Sequence, residues 1–273
     1  MEWVPAPTPI NENRRAKATE KTGIIGTDQV YLFDIYLEIA KDISGYEGGS
    51  FSLYDSKDQC SISSIGLQKE IHHKNDKSDS ICSYVLLEKN PLIVFDLKKH
   101  DIFKYHQAVT SGMCHSYCGF PVRNKDGYAL GTFCMLNFSE VKEISPEKIE
   151  LIEKLVSRLA LQIDTQTEQK EITSQKISKS IDIFMDNYKD FTLSDYKNFI
   201  DICSGLNLPE KNATNLINSD LCEVKNTIVS LSAKGNELQE KMNIVTRIHN
   251  QVKVEGNEAN SLIDNALDKL GEL

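Results

Sequence analysis

The chain has 273 residues, of which 40% are hydrophobic and 26% charged, with a formal net charge of −9; that is one or two domains with enough apolar content for a sizeable core. The acidic balance argues against the basic face that nucleic-acid binding requires and against docking to an anionic membrane surface. No run of about 18 apolar residues occurs, so no bilayer-spanning helix is expected, and the opening MEWVPAPTPINENRR lacks the apolar core of a secretory signal, which points to the cytoplasm.

The cysteines at 60, 82, 114, 118, 134, 203 and 222 are odd in number and irregularly spaced. In a reducing compartment such residues are mostly small buried hydrophobes. Composition changes near residue 165: the glycine-rich turns and most aromatic residues precede it, and Asn, Lys, Glu, Ser and Ile dominate afterwards, with a single proline, Pro209. The expected organisation is a short tail (1–10), a mixed α/β domain (11–165) and an all-helical region (166–273).

Taken in chain order, residues 11–23 and 28–43 read as helices. In the second, Val30, Phe33, Leu37 and Ala40 recur at spacings of three and four, and Asp28 stands where an N-cap belongs. Gly48-Gly49 breaks this helix. SFSLYD (50–55) and CSISSIG (60–66), joined by the polar SKDQ, predict a hairpin. EIHHKNDKSD (70–79) reads as a loop whose His72-His73 pair, lacking a partner at i+4, suits solvent better than a metal. Residues 81–89 predict a short helix stopped by Pro91, LIVFD (92–96) a short buried strand, and residues 100–109 another short helix.

SYCGFPVRNKDGYALGTFCML (116–136) then supplies two long strands around Asn124-Lys125-Asp126-Gly127, where Asp-Gly favours a tight turn. Ser145-Pro146-Glu147 opens a helix, with serine as cap, proline at the first position and glutamate at the positive end.

Asn11-Glu12 with Arg15, Ser80-Ile81-Cys82, Pro91-Leu92 through Asp96, and Asp101 with Phe103 follow one another in this order. Tyr117, Gly119, Pro121-Val122, Asp126-Gly127, Leu130-Gly131-Thr132, Cys134 and Asn137 continue the series. Over about residues 11–165 the sequence thereby resembles a GAF domain, the small-molecule sensing module related to PAS domains, in its bacterial sensor form. The resemblance implies an α+β fold: a twisted antiparallel sheet of five or six strands flanked by helices. It also implies a ligand between the sheet and the short pieces covering one face, here residues 81–89 and 97–115.

Such a pocket is mainly apolar with a few orienting polar groups, and Cys82, Tyr84, Asp96, Asp101, Phe103, His115 and Tyr117 are the candidate ligand contacts. Each has a plainer role open to it: Asp96 and Asp101 as caps or turn-formers, Phe103 as core, Cys82 (and Cys134) as packing. Tyr117 and Cys118 alternate on one strand, so only one of them can face the pocket. Cys114-His115 and Cys118 form CHSYC, which suggests three chemistries. The Cys-His pair mimics bilin attachment in phytochrome-like GAF domains, but stands too close to the next strand. A thiol reductase of the free-methionine-sulfoxide type would need a cationic neighbour to ionise its cysteine, and the glycine-rich sequence before that enzyme's cysteine is absent. A metal site would want the paired spacing that a single CHxxC lacks. The constellation of cyclic-nucleotide GAF domains is also absent. The residues identify neither a ligand nor a cofactor.

The exit helix carries Ile149, Ile152, Val156, Leu159 and Ile163 in a three-and-four pattern, a seam for a parallel homodimer or for packing on the helix's own sheet. Residues 177–191 and 192–206 read as two further helices, the second begun by Thr192, led by Leu193 and Tyr196, and ended by Gly205. Leu221, Val224, Ile228, Leu231, Leu238, Met242, Val245 and Val252 share a register that Ala259, Ile263, Ala266 and Leu270 continue, predicting a long rod. Gly235, His249 and Gly256 fall on its seam. With no ATP-binding, cyclase or phosphodiesterase signature, the expectation is a non-catalytic cytoplasmic sensor acting on a downstream signalling protein. The alternatives are the thiol reductase and a ligandless GAF adaptor acting in dimerisation.

Overall fold

In the computed structural model, which describes residues 2–27, 29–67 and 73–243, strands β1 (Gly48–Tyr54) and β6 (Ala129–Asn137) pair antiparallel at the middle of a sheet. On one side lie β2 (Asp58–Ile65) and β3 (Lys74–Asp76), and on the other β5 (Ser116–Arg123) and β4 (Leu92–Val94). The order is β3-β2-β1-β6-β5-β4, with every pairing antiparallel. Both predicted hairpins are present. The second turns through residues 124–128, where the Gly127 N–H donates to the Asn124 carbonyl at 2.9 Å. Part of the expected 70–79 loop instead forms the edge strand β3; Asp28 and His72 lie outside the described residues, and His73 is exposed.

Successive strand residues point to opposite faces, so the sheet sustains two cores. One holds Phe51, Leu53, Cys118, Phe120, Phe133 and Met135. Against it pack α2 (Asp34–Ser44), through Leu37 and Ala40, and the start of α5 (Pro146–Asn187). The other holds Tyr54, Tyr117, Ala129 and Cys134 beneath the short helices α3 (Cys82–Val85) and α4 (Gln107–Thr110) and the 3₁₀ turns at Leu97–Lys99 and Phe103–Tyr105.

The three-and-four stripe of α5 is consumed by its own sheet. Ile152, Val156, Leu159 and Ile163 are all buried in the first core, with Ile149 half-buried beside them. Burying four aliphatic side chains contributes roughly 6–12 kcal/mol as an upper estimate, so this stripe is not a free dimer seam. The segment 177–191, read as a separate helix, is not one: α5 is 42 residues long and takes in the first part of that segment.

The described residues divide into two compact units, with the boundary between Glu171 and Ile172. In the second, the end of α5, α6 (Leu193–Cys203), α7 (Thr214–Asn218) and α8 (Ala233–Met242) enclose Phe184, Phe199, Ile202, Leu216, Leu221 and Leu238. Thr192 caps α6 in a reciprocal capping box with Asp195, and Gly205 follows it with φ +80°. The segment read as the first part of a rod is a hairpin, β7 (Cys222–Lys225) with β8 (Ile228–Leu231), turning at Asn226 and Thr227, both at positive φ. The spacing of Leu221, Val224, Ile228 and Leu231 matches a helix only by coincidence. The hairpin returns the chain so that the Ser232 N–H donates to the Leu221 carbonyl at 3.0 Å. Gly235 is the close approach its small size suggested: a β-carbon there would collide with that same carbonyl. The continuation of the register from Val245 onward, with His249 and Gly256, lies outside the described residues.

Arg15 on α1 (Glu12–Thr22) is 1% exposed. Its guanidinium donates to the carbonyls of Tyr54 (2.9 Å), Asp55 (2.8 Å) and Ala129 (3.3 Å) and pairs with Glu12 at 2.7 Å. Lys77 reaches the same carboxylate at 2.8 Å. Burial alone would raise the Glu12 carboxyl, but hydrogen bonds and charge from Arg15 and Lys77 outweigh it and hold the group below its usual 4.5. A carboxylate held low stabilises the fold above its unfolded value, and that contribution disappears as pH falls through the folded value. Arg15→Ala removes the donor to three carbonyls and leaves the Glu12 carboxylate to Lys77 alone, and should cost about 3–5 kcal/mol in urea unfolding. Glu12→Gln should flatten the loss of stability below pH 4.5. An Arg15→Ala protein as stable as the parent would remove this anchor from the account.

Candidate functional site

The covered face of the sheet is where the sequence placed a ligand, and there the side chains meet. Tyr54, Cys82, Val85, Phe103, Tyr117 and Cys134 are each 9% exposed or less and form one cluster with the lid helices. Tyr117 can lie flat on the sheet because residue i+2 on the same face is Gly119; a β-carbon there would strike the Tyr117 ring and Val85 of α3. This is a physical reason for the Tyr-x-Gly spacing. Cys118, one residue on, faces the opposite core, as alternation requires.

At the centre of the cluster the Cys82 and Cys134 sulfurs are 3.6 Å apart, and Ser50 Oγ lies 3.2 Å from Cys134 Sγ. Around them the hydroxyls of Tyr54, Tyr117 and Thr132 are buried without a hydrogen bond of normal geometry. Burial, reinforced by the neighbouring thiols, holds both phenols well above the ordinary tyrosine value of 10. They are therefore neutral donors in an apolar setting, with the Tyr54 hydroxyl facing Thr132 and Ser80 and that of Tyr117 facing Cys82 in poor hydrogen-bond geometry. A buried hydroxyl so placed gives up part of the roughly 1 kcal/mol of a well-made bond. A polar group brought among them would recover that energy.

The lid is tied to the sheet and to its own turns by hydrogen bonds. The Leu97 N–H donates to the His115 carbonyl (3.0 Å), and the His115 N–H to the Asn137 carbonyl (2.9 Å). Ser116 Oγ donates to the Phe95 carbonyl at 2.6 Å. Asp96 caps the turn that follows it, accepting from the Lys98 N–H at 3.1 Å, and pairs with Lys99. Asp101 does not cap the next turn: its side chain is 99% exposed beside Lys104. His100 does so instead, Nδ1 accepting from the Ile102 and Phe103 N–H groups while its ring stacks on Phe103 at 3.9 Å. The structure thus gathers Cys82, Phe103 and Tyr117, sets Tyr84 at their margin, and leaves Asp96, Asp101 and the half-buried His115 outside the buried cluster.

Three residues that were not among the candidate ligand contacts also belong here. Tyr54 and Thr132 come from strands whose facing was not assigned residue by residue. Trp3 comes from the tail: its ring packs against Tyr84 (6.0 Å), Phe103 (6.4 Å) and His106 (4.7 Å), and its Nε1–H donates to the Ser78 carbonyl at 3.0 Å. The sole tryptophan of the chain, set in the proline-rich WVPAPTP, was the available signal.

CHSYC is split by the fold. Cys114 lies in the lid cluster and Cys118 in the opposite core, so the two do not converge on a metal or a shared substrate. Burial pushes each thiol up to about 12; the Cys118 thiol contacts the Tyr46 hydroxyl and that of Cys114 the Ser116 carbonyl, each at 3.6 Å. Surface grooves occur elsewhere, one of about 350 Å³ beside Arg123, Lys125 and Asp164 and one of about 640 Å³ along Ile93, Phe95 and Ile149.

Residues 30–163 match the family model described as GAF domain, and this part of the chain is a GAF domain. A search of curated proteins found no match. Among solved structures the chain is similar to the blue-light absorbing form of the PixJ GAF domain of Thermosynechococcus elongatus: 10% identity, TM-score 0.45, covering 62% of this chain and 96% of that one. It is also similar to a domain of a putative two-component sensor histidine kinase from Sinorhizobium meliloti 1021, at 14% identity and TM-score 0.43, covering 55% and 99%. The GAF domain of an Acinetobacter phosphoenolpyruvate-protein phosphotransferase gives 15% and 0.43, covering 60% and 96%. Among the described residues no helix is long and apolar enough to cross a membrane.

At pH 8 a thiol titrating near 12 is ionised in roughly one molecule in 10⁴. Cys114 and Cys118 should therefore be alkylated by iodoacetamide at least a hundredfold more slowly in the native protein than in urea, read by peptide mass spectrometry. Rapid native labelling of either would restore the thiol chemistry that the fold argues against.

Proposed function

We propose that the protein is a non-catalytic signalling sensor in which the GAF domain takes a small molecule on its covered face. In this reading its occupancy biases α5 and, through it, the second unit. The observation that carries the reading is the course of α5. Its start supplies Ile152, Val156, Leu159 and Ile163 to the core behind the sheet, and its end supplies Phe184 to the core of the second unit. Strands β5 and β6 lie between lid and exit helix: Tyr117 and Cys134 face the lid, while Cys118, Phe133 and Met135 face the core that α5 joins. A ligand that separates the lid from these strands disturbs the seat of α5, by no more than its differential affinity for the two arrangements. The buried hydroxyls of Tyr54, Tyr117 and Thr132, none of which makes a hydrogen bond of normal geometry, support a ligand with polar groups.

Pairing of two copies is part of the proposal, and the outward side of α5 is its surface. Leu151, Leu161 and Ile172 are each about half exposed and lie within about a quarter of the helix circumference at 3.6 residues per turn. A second reading, a GAF fold without ligand serving as an adaptor, is favoured by the filled state of the covered face, where Phe103 and Tyr117 are 1% exposed.

Thermal-shift screening against a metabolite panel, followed by hydrogen exchange, separates the two. The sensor reading expects a stabilising compound that alters exchange along α5; a bound compound that leaves α5 unchanged sinks the transmission, and no binder at all favours the adaptor. Leu161→Glu should convert a dimer to monomer in sedimentation velocity. A parent that is monomeric at tens of micromolar would remove the pairing.

A further inference from the structure

The tail residue Trp3 sits in a recess of defined chemistry at the margin of the lid. Tyr84 meets the indole edge-on at an interplanar angle of 67°. His106 does so at 80°, and its Nε2 lies 3.0 Å from the Asp79 carbonyl. Phe103 forms the floor, itself backed by the stacked ring of His100. The one polar demand of the indole, its N–H, is met by the Ser78 carbonyl, which points into the recess.

Little else fixes the tail here. The Tyr84 hydroxyl donates to the Val4 carbonyl at 2.7 Å, while Val4, Pro5, Pro7, Thr8 and Ile10 are exposed up to the first turn of α1. Prolines at 5, 7 and 9 favour an extended strap that loses little entropy on docking. The recess belongs to the same cluster as the buried phenols of Tyr54 and Tyr117.

We infer that this recess is a binding site for a flat heteroaromatic molecule carrying an N–H donor, and that Trp3 is its built-in occupant, closing the site until such a ligand displaces it. The inference rests on the reading of the covered face as the sensory site and adds to it the class of ligand and the device that regulates entry. A tethered ring competes at an effective concentration of about millimolar, so a diffusing ligand meets the recess weakened by the fraction of time the strap is docked. Release of the strap also removes the Val4 tie on Tyr84, which loosens α3 at its exposed side.

Isothermal titration of the full chain with indole, for the parent and for Trp3→Ala, tests this. Far-UV circular dichroism establishes that both are folded, and Trp3→Phe, which keeps a ring but loses the donor, serves as second variant. Trp3→Ala should bind indole at least tenfold more tightly than the parent, with Trp3→Phe between them. 1-Methylindole, which cannot donate to Ser78, should bind Trp3→Ala about five- to tenfold more weakly than indole. Equal indole binding by parent and Trp3→Ala overturns the plug, and indifference to the N-methyl group overturns the assigned ligand chemistry. If indole fills the vacated recess without altering exchange along α5, the site stands and the transmission in the sensor reading fails.

Discussion

The buried guanidinium of Arg15 is the constraint on which the rest of the first unit depends. A charge removed from water is tolerable only where every donor finds an acceptor. Here the acceptors are carbonyls at the ends of β1 and β6 and a carboxylate on the same helix turn. That requirement fixes α1 against the rim of the sheet. Through Glu12 and Lys77 it reaches the segment whose next residue, Ser78, receives the Trp3 indole. Tail, first helix, sheet rim and lid entrance are therefore held by one charge network.

A two-faced antiparallel sheet gives this arrangement a direction. One face is built from large apolar residues and covered by the longer helices α2 and α5. The other is covered by single helical turns and buries the hydroxyls of Tyr54, Tyr117 and Thr132 without a hydrogen bond of normal geometry, so it is the face where a bound polar group has most to offer. Because alternate residues of β5 and β6 belong to the two cores, displacement on the thin side has a short physical route to the thick side, and α5 is seated there.

Much of this was legible in the chain. The Ser-Pro-Glu opening of α5, the Thr192 cap and the two long strands follow from local rules and all appear, while the helix expected over 28–43 is present as α2 only from Asp34, after a 3₁₀ turn over Gln29–Phe33. Alternation along 117–118 assigned Tyr117 and Cys118 to opposite faces. The readings that failed did so where one pattern serves two structures. A three-and-four spacing across residues 221–231 fits a helix face, yet Asn226 and Thr227 adopt positive φ and turn the chain into a hairpin. The Ile152–Ile163 stripe fits a dimer seam as well as a sheet, and the sheet was nearer. Asp101 was a reasonable cap by type, but His100 has the reach to accept from two backbone N–H groups.

By itself the sequence determined the kind of domain, because helix caps, turn residues and alternation are properties of neighbours along the chain, and the ordered motifs from Asn11 to Asn137 record them. Only the tertiary structure decided which side chains share a space. That Cys114 and Cys118 are parted, that Cys82 and Cys134 meet, and that Trp3 returns to cover Phe103 depend on contacts between residues dozens of positions apart, for which local spacing carries no information.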